Sequence, residues 1–241
     1  ATSGTPHTKV KIKGSNVAAI RHTSTASAML LGAPIGSDQC VDEVLEAKLQ
    51  ELRRLADRVS LLNAHDALFL LKNCFSIPKL SYTLRTSPCY TRQLLAEYDA
   101  VIQSTLESIM NVTLSGDAWE QSTLPVANGG IGVRRASDVA LPAYLSSVAS
   151  SHALVIQLLP PALHEVSGIY EPNFTAAVSE WQVRTGVTSV QQPLPTAQKV
   201  WDAPLVKAQE AKVSAAASGQ AGKVRLIAAT APHSGAFLHA R

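Results

Sequence analysis

The chain has 241 residues, long enough for one large domain or two small ones around a real hydrophobic core. An apolar share of 46% excludes a disordered chain, and the low aromatic (5%) and charged (16%) shares, with alanine, serine and leucine supplying the bulk, favour helix over strand. The net charge of +3 is modest but uneven: Lys9, Lys11, Lys13 and Arg21 all precede the first acidic residue, Asp38, so the basic end suits either an anionic partner or plain solvent.

Residues 1–36 differ from the rest. Lys9-Val-Lys-Ile-Lys13 alternates charged and β-branched residues, the period of a half-exposed strand, and Met29-Leu-Leu-Gly-Ala-Pro-Ile-Gly36 reads as a strand closed by a turn. Ser37 then caps a long helix whose apolar stripe is Val41, Leu45, Leu49, Leu52, Leu55, Ala56 and Val59, with Asp38, Asp42 and Glu43 near the positive end of its dipole. A second helix starts at Asn63 or Asp66 and runs to about Phe75. Pro78 interrupts the backbone ladder, and a short helix follows over Lys79–Arg85. Pro88 is expected to open a helix of about twenty residues, with Leu94, Leu95, Tyr98, Val101, Ile102, Leu106 and Ile109 facing inward.

After a break at 111–117, Leu124–Arg134 carries three glycines and is expected to be a turn flanked by short extended pieces. Helix returns over Ser137–Ser151, then over Asn173–Thr185, Thr196–Ser218 and Lys223–Ala231, with Thr188–Pro195 as a linker. No Asp, Glu, Lys or Arg occurs from Val139 to His164. That stretch also holds serines and three prolines, so buried helix is expected there rather than a membrane span, which needs about 20 apolar residues in one run.

Cys40, Cys74 and Cys89 have no metal-ligand spacing and leave an odd thiol, which points to a reducing, intracellular setting; no signal-peptide pattern opens the chain. A first residue other than Met suggests a fragment or a processed product. There is no Asp-Asp pair, no Cys-x-x-Cys, no His-x-x-x-His and no nucleophile elbow. Gly129-Gly-Ile-Gly132 lacks the lysine–serine pair of a phosphate loop and reads as a structural turn. His65-Asp66 reads as a helix start, His233-Ser-Gly235 as a surface loop, and Trp119, Trp181 and Trp201 as core anchors.

Four strings carry more information: Leu30-Leu-Gly-Ala-Pro-Ile-Gly-Ser37; Leu70-Leu-Lys-Asn-Cys-Phe-Ser-Ile-Pro-Lys-Leu-Ser-Tyr-Thr-Leu-Arg-Thr86; Trp119-Glu-Gln-Ser-Thr-Leu-Pro125 running into Gly129-Gly-Ile-Gly-Val-Arg134; and Ala231-Pro-His-Ser-Gly-Ala-Phe-Leu-His-Ala240. Their order and spacing resemble the reverse transcriptases of non-LTR retrotransposons, over nearly the whole chain. The resemblance implies a mainly α fold with three parts. Residues 1–36 would be the end of a palm-like region with a primer-grip-like turn, 37–112 a thumb-like helical domain, and 113–241 a helical connector. It implies that Gly32, Pro34, Ile35 and Gly36 shape a turn whose backbone faces nucleic acid. Lys72, Lys79, Arg85, Arg134 and Arg135 are the candidates for phosphate contact.

The implied partners are an RNA/DNA template–primer and the flanking palm and nuclease regions of the parent polyprotein, with no membrane. The implied location is intracellular, nuclear being the narrower option. The catalytic aspartates of such polymerases lie upstream of the Leu-Gly-Ala-Pro string, so this chain is expected to hold no cofactor of its own. A divalent metal belongs with the palm, and without its carboxylates the chain alone is expected not to catalyse phosphoryl transfer. The competing reading is a helical interaction or scaffold module, or a transposon remnant without a retained role.

Overall fold

A computed structural model describes residues 28–35, 37–158, 160, 171–217 and 219–238. Among the described residues the molecule is mainly helical, with one two-stranded element over residues 28–35. The predicted strand at Lys9–Lys13 lies outside the described residues. The apolar run after it is a hairpin rather than one strand closed by a turn. β1 (Ala28–Leu30) and β2 (Ala33–Ile35) pair antiparallel about the two-residue turn Leu31-Gly32. Leu31 (φ 50°) and Gly32 (φ 82°) are both left-handed, the signature of a type I′ turn, whose twist matches that of the flanking strands. Pro34 stands opposite Met29, next to the turn-closing pair Leu30 and Ala33. That is a non-hydrogen-bonded position, so the missing proline N–H costs the ladder nothing.

The first long helix, α1 (Asp38–Val59), follows the predicted stripe, with Val41, Leu45, Leu49, Leu52 and Val59 buried. α2 (Ala64–Leu70) starts where Asn63 accepts a hydrogen bond from the Asp66 N–H (3.0 Å), and a wide π-type turn, Leu71–Phe75, extends it. The ladder breaks at Ser76, whose carbonyl accepts from the buried Tyr98 hydroxyl (2.9 Å). α3 (Ile77–Thr86) then begins with Pro78 in its first turn, where the ring meets no earlier carbonyl. The helix expected from Pro88 starts later, as α4 (Gln93–Met110). Residues 87–92 are instead used in a tight turn closed by the Arg92 N–H on the Cys89 carbonyl (2.9 Å). From there the Arg92 guanidinium reaches back to Asp38 and Asp42 in the first turns of α1. Left-handed Asn111 (φ 52°) ends α4.

α5 (Gly116–Ser122) leads into the glycine turn. No strand forms around that turn: Pro125 is extended (φ −54°, ψ 150°), a short 3₁₀ turn, Val126–Asn128, follows it, and the backbone from 131 to 135 is irregular. α6 (Ala136–Leu158) is longer than expected and continuous through Pro142. It is followed by α7 (Glu171–Thr185), α8 (Gln198–Ala216) and α9 (Gly219–Thr230).

α6 sits at the centre of the packing. One side, through Ala136, Val139, Ala140 and Ala143, closes a core with Leu45, Leu49, Leu80, Leu84, Ile102 and Leu106 from α1, α3 and α4. That core therefore draws on residues from both sides of residue 112. The other side, through Leu141, Tyr144 and Leu145, packs on Ala177, Trp181 and Trp201. The two indoles meet edge-on (5.2 Å, 80°), and each N–H is satisfied: Trp181 donates to the Trp201 carbonyl and Trp201 to that of Pro195. Up to Ser146 this helix is apolar on both sides and needs no charge, but residues 150–154 are exposed, so the expected burial holds only for the first part of the charge-free stretch. By length and composition α6 could cross a membrane, but 44% of its most apolar stretch is buried inside the protein. Leu154 and Leu158, near its end, are exposed.

Candidate nucleic-acid interface

The hairpin stands on the bundle, β2 resting against α1 and α3. Pro34 is buried beneath it, whereas Leu31 at the tip is 89% exposed and Gly32 beside it is open to solvent. Gly36 and the Ile35 side chain lie outside the described residues. The Tyr82 hydroxyl, on α3, donates to the Leu31 carbonyl (2.8 Å) and so links the tip to the helices.

The five predicted phosphate ligands have different surroundings. Lys79 is exposed and paired with Glu51 of α1 (2.9 Å). Hydrogen bonds from Lys79 and then Lys48 hold the Glu51 carboxyl below the usual carboxylate range. Because this pair faces water, a phosphate could replace the carboxylate at small cost. Arg85 is exposed and reaches Gln198 at the start of α8 (3.4 Å). Six positions separate it from Lys79 on α3, which turns the two side chains about 120° apart around the helix. Lys72 is half-buried, its Nζ lying 3.0 Å from where a Cβ on Gly132 would be, and burial lowers its pKa.

Arg134 and Arg135 are committed inward. Arg134 forks onto both carboxylate oxygens of Asp202 on α8 (2.8 Å each). Arg135 binds Glu120 (2.7 and 3.0 Å) and Asp138 (2.7 and 3.3 Å). Burial disfavours the Arg135 charge, but Asp138 and Glu120 outweigh it and hold the guanidinium more firmly protonated than usual. Both arginines line a cavity of about 310 Å³ with Arg184, Lys212, Glu120 and Asp138. Asp202 pairs with Arg134 and Glu180 with Arg184, so three of the four cations around this cavity have carboxylate partners. Replacing Arg135 by glutamine should strand Glu120 and Asp138 in a half-buried site. The expected loss is about 2–3 kcal/mol of unfolding free energy in urea, below the 3–5 kcal/mol of a fully buried pair. Affinity for an RNA–DNA hybrid should not change; a variant of wild-type stability with weakened binding would return Arg135 to the interface.

Sequence reasoning assigned no role to Asp99, Gln209 or Tyr82. Asp99, buried on α4, accepts from the Ala136 N–H and from the Ser137 N–H and hydroxyl, and so caps α6 from another helix. Gln209, buried on α8, donates to the Thr123 hydroxyl (2.6 Å) and the Glu120 carbonyl (3.0 Å). Nothing local marks any of them, because each partner is tens of residues away. Among the described residues no three His, Cys, Asp or Glu side chains gather into a metal-sized cluster. Cys89 is buried, which pushes its thiol up to about 12. Comparison with protein-family models, with curated proteins and with solved structures gives no match to this chain.

Proposed function

We propose that this chain is the thumb-and-connector portion of a non-LTR retrotransposon reverse transcriptase, binding template–primer and catalysing nothing by itself. Four strings in family order suggest it. The observation that supports it best is the hairpin: an exposed, left-handed Leu31-Gly32 tip at the head of a helical bundle, seated on α1 and α3. Such a tip offers backbone to a ligand, and backbone contact suits a polymerase that must accept any sequence. Lys79, Arg85 and Lys72 are the remaining phosphate contacts. The polymerase's metal and its carboxylates belong to the palm.

A low-salt titration with an RNA–DNA hybrid tests this. About three neutralised phosphates give a log–log salt slope near −3, against about −4 or steeper if all five cations took part. Weak binding with the shallower slope is expected. No binding at low salt, or binding indifferent to salt, overturns the proposal. The second reading, a helical interaction module, draws support from the exposed Leu154 and Leu158 on α6 and the inward use of Arg134 and Arg135. Absent duplex binding together with concentration-dependent sedimentation would favour it.

A further inference from the structure

We infer that Tyr82 is the positioning residue of the hairpin, its hydroxyl holding the Leu31–Gly32 peptide in one orientation; what that orientation serves rests on the reading just proposed. In a type I′ turn the first central carbonyl has no partner inside the hairpin. The peptide it belongs to is also the one whose rotation converts one turn type into another. Here that carbonyl is Leu31's, and it accepts the Tyr82 hydroxyl at 2.8 Å.

The turn has a reason to leave its present form. Leu31 is left-handed at φ 50°, which a side chain with a Cβ disfavours, and at 89% exposure no packing compensates. Gly32 at φ 82° meets no such penalty, and a Cβ built on it would lie 3.8 Å from the Tyr82 ring, so the ring flanks the turn. The Tyr82 bond ties the hairpin to the helices at its turn. Tyr82 is itself 49% exposed, so the core does not account for it, whereas Tyr98 is buried with its hydroxyl satisfied inside the bundle. Its carrier α3 is packed against α6 and β2, so the tip is referenced to the rigid part of the molecule at two points, buried Pro34 at its base and Tyr82 at its turn. A backbone surface that contacts a ligand without side-chain selectivity depends on such fixed placement.

The test is Tyr82→Phe in the whole chain, which keeps the ring and removes one hydroxyl. Nuclear magnetic resonance reads the turn directly, through the Leu31 carbonyl ¹³C shift and the exchange of the Ala33 amide that closes the turn. Exchange should accelerate about fivefold, the worth of one ordinary hydrogen bond, and the carbonyl shift should move, with exchange in α1 and α4 unchanged. Hybrid-duplex affinity should fall by a similar factor. An unchanged Ala33 rate and Leu31 shift overturn the inference. Weaker duplex binding with an unperturbed turn also overturns it, because the hydroxyl would then act on the nucleic acid itself. A loosened turn with unchanged duplex affinity keeps Tyr82 as the anchor and removes the hairpin from the proposed interface.

Discussion

Gly130→Ala is expected to cost about 3 kcal/mol or more of unfolding free energy, the largest single-residue effect we foresee in this protein. A Cβ at this position would collide with the Leu124 carbonyl oxygen and would lie 2.6 Å from its carbon and 2.7 Å from the Gln121 carbonyl oxygen. All three atoms are backbone, so no side chain can swing aside, and the cost lies at or above the usual range for overpacking. The loop is pressed against the end of α5 by its own hydrogen bonds, Ile131 N–H to the Ser122 carbonyl and Gly132 N–H to that of Leu124 (3.0 Å each). It then delivers Arg134 and Arg135 to their carboxylates and Ala136 to Asp99, so displacing it disturbs three anchors together. Gly116→Ala is the control. Nothing lies within 4 Å of its added Cβ, it opens α5, and alanine there should be neutral or stabilising by up to about 1 kcal/mol. Equal urea midpoints for the two variants would show that the close approach at Gly130 is not real.

Asp99 carries the second large effect, in two measurable parts. Asp99→Ala leaves the Ala136 and Ser137 N–H groups without their acceptor at a buried helix start, for a loss of about 2–4 kcal/mol, combining a lost cap with buried unsatisfied donors. The other part is pH dependence. Burial pushes the Asp99 carboxyl up to about 6, against the pull of the Ser137 and Ala136 donors, with neighbouring Asp138 adding to the rise. An unfolded aspartate titrates near 3.9, so the folded protein holds this proton more tightly than the unfolded chain does. The contribution of Asp99 is therefore full below about pH 4 and is lost as pH rises through about 6. A rise of about two pKa units corresponds to about 3 kcal/mol. The difference in unfolding free energy between wild type and Asp99→Asn, which does not titrate, should grow by up to that amount from pH 7 to pH 4. Taking the difference cancels groups common to both, Glu51 among them. A flat difference would mean that the three donors, rather than burial, govern this carboxyl.

Much of the fold was legible because helices announce themselves locally. Val41, Leu45, Leu49 and Leu52 recur at helical spacing, and burying that face is the cheapest use of it. Asn63 was readable as a start and Asn111 as part of a break, since capping chemistry acts within three or four residues. The charge-free run after Val139 pointed to burial, and this holds as far as Ser146, where α6 lies between two cores, whereas residues 150–154 are exposed. The misreadings fell where a local signal has two outcomes. Pro88 suits a first helical turn as well as the tight turn it occupies, and Leu-Gly inside an apolar run can continue a strand or reverse it.

The candidate site was less legible than the fold, for a reason visible in the arginines. Arg85 and Arg135 are the same residue type in similarly polar strings, yet one faces water and the other lies between Glu120 and Asp138. A sequence lists charges without their partners, and whether a cation is available to a phosphate depends on which carboxylate folding brings beside it. By itself, then, the sequence determined the helical class, the stripes that become cores, the glycine turn and the apolar nature of α6, all products of interactions within a few residues. Only the tertiary structure decided that Asp99 caps a helix 37 residues away, that Tyr82 holds a turn 51 residues before it, and that Arg134 and Arg135, two of the five expected phosphate ligands, pair with part-buried carboxylates. Those pairings follow from how α3, α4, α6 and α8 pack, and no local pattern encodes which faces will meet.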